Sequence, residues 1–338
     1  LLIYGFTPTY AAGLSILAVI VSTWFSANKM GAKAIIEAMA MGAKNMVMTA
    51  ILLCAVGLIV NVIATAGVGN TFSLMINEWA GHSLVIAIVL IALASLVLGM
   101  GLPVTAAYIV LGTLSAPALQ ALIADGLLVD ALANGQIPEA AKAIFMLVAP
   151  DKLAEIGNPM TTAAARAIVD AVPVDMAGMV RESVLTPHAL TYALLSAHLI
   201  VFWLSQDSNV TPPVALAAFT GAAIAGTKPM ATGLQSWKLA KGLYIIPLLF
   251  AYTPFIGGSW IDDFTIFFFA LFGLYAFAAG LEGFMEARVT LPVRLLSVGC
   301  AVALLWPAPV WVHLVGLIVL IVLFMGSFRK SRRETAAV

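Results

Sequence analysis

SLVIAIVLIALASLVLGMGLPVTAAYIVLGTLSAPALQAL, residues Ser83–Leu122, carries no Lys, Arg, Asp or Glu anywhere along its length. A single helical crossing of a bilayer takes about 20 apolar residues, so this run is too long for one. GMGLP at Gly99–Pro103 interrupts it in the middle. Two arrangements fit: two full crossings joined by a tight turn, or a re-entrant hairpin whose tip stops inside the membrane. The arms, Leu84–Leu98 and Val104–Leu119, are short for full spans. The tip also has no charge or polar turn residue, which a turn in water would ordinarily have, and this favours the hairpin.

The rest of the chain supports a membrane setting. Of 338 residues 62% are hydrophobic and only 9% are charged, whereas a soluble domain carries about 25% charged residues. Further charge-poor runs cover Asn45–Asn77, Gly242–Ile261, Phe264–Leu281 and Leu295–Phe328. In lipid every backbone N–H and C=O must pair within its own segment or around a closed barrel. None of the runs alternates apolar with polar residues, so helices are expected rather than a barrel. The formal net charge is zero, and nothing suggests a nucleic-acid partner. Cys54 and Cys300 lie in apolar runs and read as packing residues. The first helix is not expected to be a signal peptide, because it has no basic n-region and no cleavage site. The chain starts at Leu1 inside that stretch, as the tail of a longer polypeptide would.

Read in order, the chain predicts a first helix at Leu1–Phe25 interrupted by Pro8 and a polar segment at Ser26–Asn45. A second helix is expected at Met46–Ala66, ended by Gly67, Gly69 and Asn70. The organisation expected is residues 1–120 as first helices and hairpin of a transport unit, and 121–187 as an acidic extramembrane insertion. Residues 188–256 would form a discontinuous helix with the helix after it, and 257–338 the C-terminal helices with a basic tail. The insertion holds eight acids between Asp125 and Glu182 against four bases. Lys29, Lys33 and Lys44, then Lys228, Lys238 and Lys241, then Arg329, Lys330, Arg332 and Arg333 mark three basic segments. Basic segments favour the cytoplasmic side. All three fall there when Ser83–Leu122 counts as an even number of crossings, which a hairpin and two spans both satisfy. The C-terminus is then cytoplasmic and the insertion outside.

A second interruption is SQDSNVTPP at Ser205–Pro213. Pro212 and Pro213 remove two N–H donors, so a helix must unwind there. Asp207 is an acid between apolar stretches, and such residues are functional by default. Broken helices whose carbonyls and ends bind ions mark many secondary transporters. An Asp207 at the membrane interface, between two separate helices, is the plainer alternative. Likewise GMGLP alone could be a packing kink. Oxygen donors without thiolate or imidazole clusters suit a hard cation. Na⁺ is the candidate, held by backbone carbonyls and the hydroxyls of Thr105, Ser208 and Thr211. His82, His188, His198 and His313 show no metal-ligand spacing. There is no Walker loop, no HExxH and no Ser/His/Asp pattern, so no ATP-driven pump or hydrolase is expected. A purely structural subunit would have uninterrupted helices.

GMGLPVTAAYIV (99–110), AHLIVFWLSQDSNVTPPVALAAFTGAAIAGTKPMATG (197–233) and YIIPLLFAYTPFI (244–256) resemble the large membrane subunit of tripartite ATP-independent periplasmic (TRAP) transporters. Within it the TAXI type, often a fused permease, is most similar. IYGFTPTYAA (3–12) resembles the segment opening the second half of that subunit. The resemblance implies an all-α polytopic membrane protein of the bacterial inner membrane. It would be the second, C-terminal half of an inverted-repeat fold, with a re-entrant hairpin and a discontinuous helix. It implies Na⁺-coupled import of a small organic anion, typically a carboxylate, by an elevator-type movement and without enzymatic chemistry. Implied partners are a periplasmic substrate-binding protein and a small membrane subunit, separate or fused upstream. Carried over to this chain, the ion and substrate site would use Gly99, Gly101, Pro103 and Thr105 at the hairpin tip. From the broken helix it would use Asp207, Ser208, Asn209, Thr211, Pro212 and Pro213. The family pattern has Asp where this chain has Asn209, and Asp207 lies two residues earlier. A Na⁺- or H⁺-coupled carboxylate carrier that needs no binding protein is the alternative.

Overall fold

The structure, a computed structural model, describes residues 4–27, 29–99, 102–153, 155–213 and 215–336. The described residues are helical throughout, apart from turns and one isolated β-bridge between Phe284 and Arg288. The chain packs as two compact units, 1–59 and 60–338. The first unit holds α1 (Pro8–Thr23) and most of α2 (Ala32–Thr65). Pro8 does not interrupt a longer helix. It opens α1 at the first position, where its missing N–H costs nothing, and Thr7 Oγ1 accepts from the Tyr10 N–H. The polar segment expected at 26–45 is largely helix as well, because α2 starts at Ala32. Ala, Lys, Glu and Met are good helix formers, and they outweigh the charges that suggested a loop.

In the second unit, α3 (Val68–Ala80) follows α2 after Gly67, whose φ of +68° makes the turn. The glycines at 67 and 69 therefore end one helix and start another. α4 (Leu84–Gly99) and α5 (Val104–Ala133) are the two arms of the hairpin. α5 does not stop at Leu119; it continues through Pro117 for 30 residues. Pro117 has no N–H to give the Thr113 carbonyl one turn earlier. α3 packs at this place. Gly69 lies so close that a Cβ there would sit 3.3 Å from Thr113 O, and Ser73 Oγ donates to Leu114 O at 3.1 Å.

After α5, α6 (Glu139–Val148), α7 (Thr162–Asp170) and α8 (Val174–Val184) are short, each bounded by proline or a Thr cap. They share a core with the end of α5 built on Leu128, Leu132, Phe145, Ile168 and Val180. Arg181 donates from Nε and Nη2 to the two carboxylate oxygens of Asp125 at 2.7 and 2.9 Å, tying α8 to α5.

α9 (Pro187–Ser205) packs along α4 and α5 through Ile91, Leu111, Leu119, Ile200 and Leu204, all almost wholly buried. α10 (Leu216–Ala225) and α11 (Pro229–Leu239) pack on each other, joined by a turn at Gly226. The helix expected after the broken helix, up to residue 256, is shorter. α12 (Ile246–Tyr252) has seven residues, opened by Pro247 and followed by Thr253 and Pro254. α13 (Trp260–Glu282), α14 (Leu291–Leu305) and α15 (Val310–Ala336) form the last group. Small residues let α13 and α14 approach closely. A Cβ on Gly273 would lie 2.7 Å from Leu305 Cγ, and one on Gly280 would lie 2.6 Å from Val298 Cγ2.

Basic residues gather at one end of these helices. Lys238 and Lys241 both pair with Glu282, at 2.8 and 3.0 Å. Arg294 donates to the carbonyls of Gly280 and Leu281, completing the C-terminus of α13. Lys330 of α15 donates to Arg288 O. The basic stretch expected as a loop is helix α11 followed by a 3₁₀ turn, and its Lys238 and Lys241 share one end of the helices with the tail.

Among the described residues five helical segments are long and apolar enough to cross a bilayer: Ala32–Thr65, Val104–Ala133, Pro187–Asn209, Trp260–Glu282 and Val310–Thr335. Large apolar side chains such as Ile224, Leu271, Ile318 and Val322 are exposed along several helices. Water would not tolerate surfaces of this extent, and lipid does. The protein is an all-α polytopic membrane protein.

Candidate functional site

The two interruptions read from the sequence meet. α9 ends at Ser205 and tightens into a 3₁₀ turn, Gln206–Asn209. The N–H groups of Val210 and Thr211 both donate to the Asp207 carbonyl, at 3.0 and 2.9 Å. Pro212 and Pro213, joined by a cis peptide bond, follow and give no donors. Ala215, in the left-handed region at φ +34°, then caps α10. Into this unwound segment comes the end of α4. Gly99 faces Ser208, where a Cβ would stand 3.2 Å from Ser208 Cβ and 3.3 Å from its Cα. Hydrogen in place of a methyl group is what lets the hairpin arm rest on the broken helix.

Asp207 is 2% exposed. Its Oδ1 accepts two hydroxyl hydrogen bonds of 2.5 Å, one from Thr211 Oγ1 and one from Tyr244 Oη. Tyr244 stands in the 3₁₀ turn Ala240–Tyr244 before α12, and its oxygen accepts from Trp237 Nε1 at 3.1 Å. Both hydroxyls thus converge on one oxygen. Oδ2 has no hydrogen-bond partner among the described residues, and no Lys, Arg or His nitrogen lies within 4.0 Å of the carboxylate. A buried carboxylate is costly without a compensating charge or proton. Chemically, the arrangement is a buried carboxylate with two hydroxyl donors on one oxygen.

The other expected residues are placed as follows. Thr211 is buried and committed to Asp207. Ser208 is buried, its hydroxyl donating to Ser205 O at 3.1 Å. Asn209 is half-buried, and its side chain has no hydrogen bond among the described residues. Pro212 packs against Gly233 of α11, while Pro213 is exposed. At the tip, Pro103 caps α5 and is exposed, and Thr105 is exposed in the first turn of α5, with no hydrogen bond among the described residues. Gly101 lies outside the described residues. The structure therefore joins Gly99, Asp207, Ser208 and Thr211, and leaves Pro103 and Thr105 at the surface of the tip. Tyr244 and Trp237 were not foreseen. Nothing in their local sequence separates them from packing aromatics, and only the fold brings Tyr244 across 37 positions to Asp207.

Helix lengths place this centre well inside the apolar part of the chain. With 1.5 Å per residue, the 19 residues of α9 put it about 28 Å from Pro187. The 10 residues of α10 put it about 15 Å from the Gly226 turn.

A broken helix with a buried, uncompensated acid, met by a hairpin end within long apolar helices, is the arrangement of a membrane carrier. The profile of the tripartite ATP-independent periplasmic transporter DctM component matches residues 1–256. The chain belongs to that family. Neither curated proteins nor solved structures gave a match. The DctM component is the large membrane permease of a TRAP transporter, a carrier rather than an enzyme, and works with a substrate-binding protein and a small membrane subunit. The matched residues include the hairpin, the short helices α6–α8 and the whole Asp207 centre, and end just after α12.

Proposed function

We propose that the protein is the permease of a TAXI-type, Na⁺-coupled TRAP transporter that imports a small organic carboxylate across the bacterial inner membrane. The reading assigns its helices up to residue 256 to the second half of an inverted-repeat transport fold that moves as an elevator, with a cytoplasmic C-terminus. Asp207 carries the reading. A carboxylate 2% exposed, with two hydroxyls on one oxygen and no basic partner, asks for a cation that comes from solution. Na⁺ meets the oxygen donors at hand: the free Oδ2, the carbonyls of the unwound turn, and the hydroxyl of Thr211 if it turns from Asp207. The fixed basic end, Lys238 and Lys241 on Glu282 with the tail of α15, supports the cytoplasmic assignment.

The same buried carboxylate would accept a proton, so H⁺ coupling is the second reading. Both are tested in liposomes holding the protein with its small membrane subunit, by following uptake of labelled carboxylates. Na⁺ and pH gradients are imposed separately, with and without the periplasmic binding protein. Uptake should need the Na⁺ gradient and the binding protein. Uptake driven by the pH gradient alone moves the assignment to H⁺, and uptake that ignores both gradients sinks the coupling role of Asp207.

A further inference from the structure

A cavity of about 760 Å³ lies at the other end of α9 from Asp207. α4, α7 and α9 all begin at it: Ser83 and Leu84, Thr162, and His188 with Ala189 line its wall. Each of these helix starts presents the positive end of its dipole. Arg166 of α7 also lines the cavity. Its side chain is half-buried and makes no ion pair or hydrogen bond among the described residues. Every other charge facing the cavity can be named: His82 and His188, both exposed, and Asp130, exposed and not within ion-pair distance of Arg166. Tyr192 and Thr253 add polar groups to the floor, although the Tyr192 hydroxyl is already donated to Thr253 O at 3.2 Å.

An unpaired guanidinium held half out of water is unusual, because Arg is normally matched with a carboxylate or phosphate. The volume is that of a small-molecule pocket. The cavity opens where the α6–α8 segment meets the base of the hairpin, about 28 Å by the length of α9 from the coupling centre.

We propose that this cavity is an anion vestibule, in which Arg166 takes the carboxylate of an incoming small organic acid before it reaches the hairpin. It rests on the transport reading given above. The planar fork of Arg166 is suited to bidentate contact with a carboxylate, and the three helix starts supply a favourable field around it. The α6–α8 segment, which holds Arg166, then contributes part of the substrate path rather than only covering the outer face.

The test reads the field of the cavity without asking for transport. Cys54 and Cys300 are replaced by Ser and Ala in the full protein, and a reporter is placed at Thr162→Cys or, separately, Ala189→Cys. Labelling rates are measured with methanethiosulfonate ethylsulfonate, an anion, and methanethiosulfonate ethyltrimethylammonium, a cation, each divided by its rate with free cysteine. The normalised anion-to-cation ratio should exceed one. It should fall at least about threefold in Arg166→Gln, since one nearby charge acts oppositely on the two reagents. Succinate should slow labelling by the anion with Arg166 present and lose that effect in Arg166→Gln. A ratio of one or less, a ratio that Arg166→Gln leaves unchanged, or succinate without effect would each overturn the vestibule. None of these readouts involves Na⁺ or the binding protein. Failed coupling in the uptake experiment would therefore leave this result standing, and an inert Arg166 would leave the coupling role of Asp207 intact. In uptake assays Arg166→Gln should raise KM severalfold with kcat nearly unchanged.

Discussion

Gly99 is where two separate breaks in the chain become one site. It has no side chain, and Ser208 occupies the space a side chain would need. Gly99→Ala must push Ser208 by a few tenths of an ångström, and Gly99→Val must move the unwound backbone itself. Overpacking of this kind costs about 1–3 kcal/mol. The valine variant should therefore lower the thermal midpoint of the purified protein and abolish uptake, with the alanine variant between it and the native protein. A valine variant that transports normally would show that hairpin and broken helix need not touch. At this scale the sequence was partly readable. Two prolines after an acid in an apolar run announce an unwound, ionisable place whatever surrounds them. The phenol that completes it is not announced. Tyr244 follows a basic stretch and looks like any interfacial aromatic. Thr105 shows the converse: a hydroxyl in the tip motif is an attractive ligand on paper, and it stands exposed without a partner among the described residues.

Among the elements, the link between α8 and α5 decides how firmly the α6–α8 segment is held. Asp125 and Arg181 are paired through two hydrogen bonds, with side chains 14% and 20% exposed. Removing Arg181 leaves a largely buried carboxylate, and hydrogen bonds to charged groups contribute about 1.5–3 kcal/mol. Arg181→Leu should speed amide exchange across 174–184 while leaving α13–α15 protected. Joining it with Asp125→Leu should recover part of the loss, because the orphaned charge is then gone. Equal exchange in the native and Arg181→Leu proteins would show that the shared core of Leu132, Phe145 and Val180 suffices alone. The elements most legible in sequence were those with long apolar runs: α4, α13 and α15. α3 was hidden because glycine marks both a helix end and the turn into a new helix. The start of α2 was hidden because helix propensity acts on charged residues as readily as on apolar ones. α12 was read too long because apolar character continues past Pro254, where the backbone does not.

For the whole molecule, the proposed sidedness rests on charge. Lys238 and Lys241, at the end of α11, and the tail share one end of their helices, and α9 separates the Asp207 centre from the α6–α8 segment by about 28 Å. A membrane-impermeant thiol reagent applied to intact cells should label Thr162→Cys and spare Thr335→Cys, with the reverse in inverted vesicles. The opposite pattern would invert the topology and place the vestibule on the wrong side for import. The central claim is that the buried carboxylate of Asp207 couples the cation to the substrate. It is tested most directly by Na⁺-dependent uptake into liposomes by the native protein and by Asp207→Asn, with the binding protein supplied. The native protein should show uptake rising with external Na⁺ to saturation. The asparagine variant, which keeps the shape and loses the charge, should lose both the uptake and its Na⁺ dependence. Uptake by Asp207→Asn with an unaltered Na⁺ dependence would contradict the account.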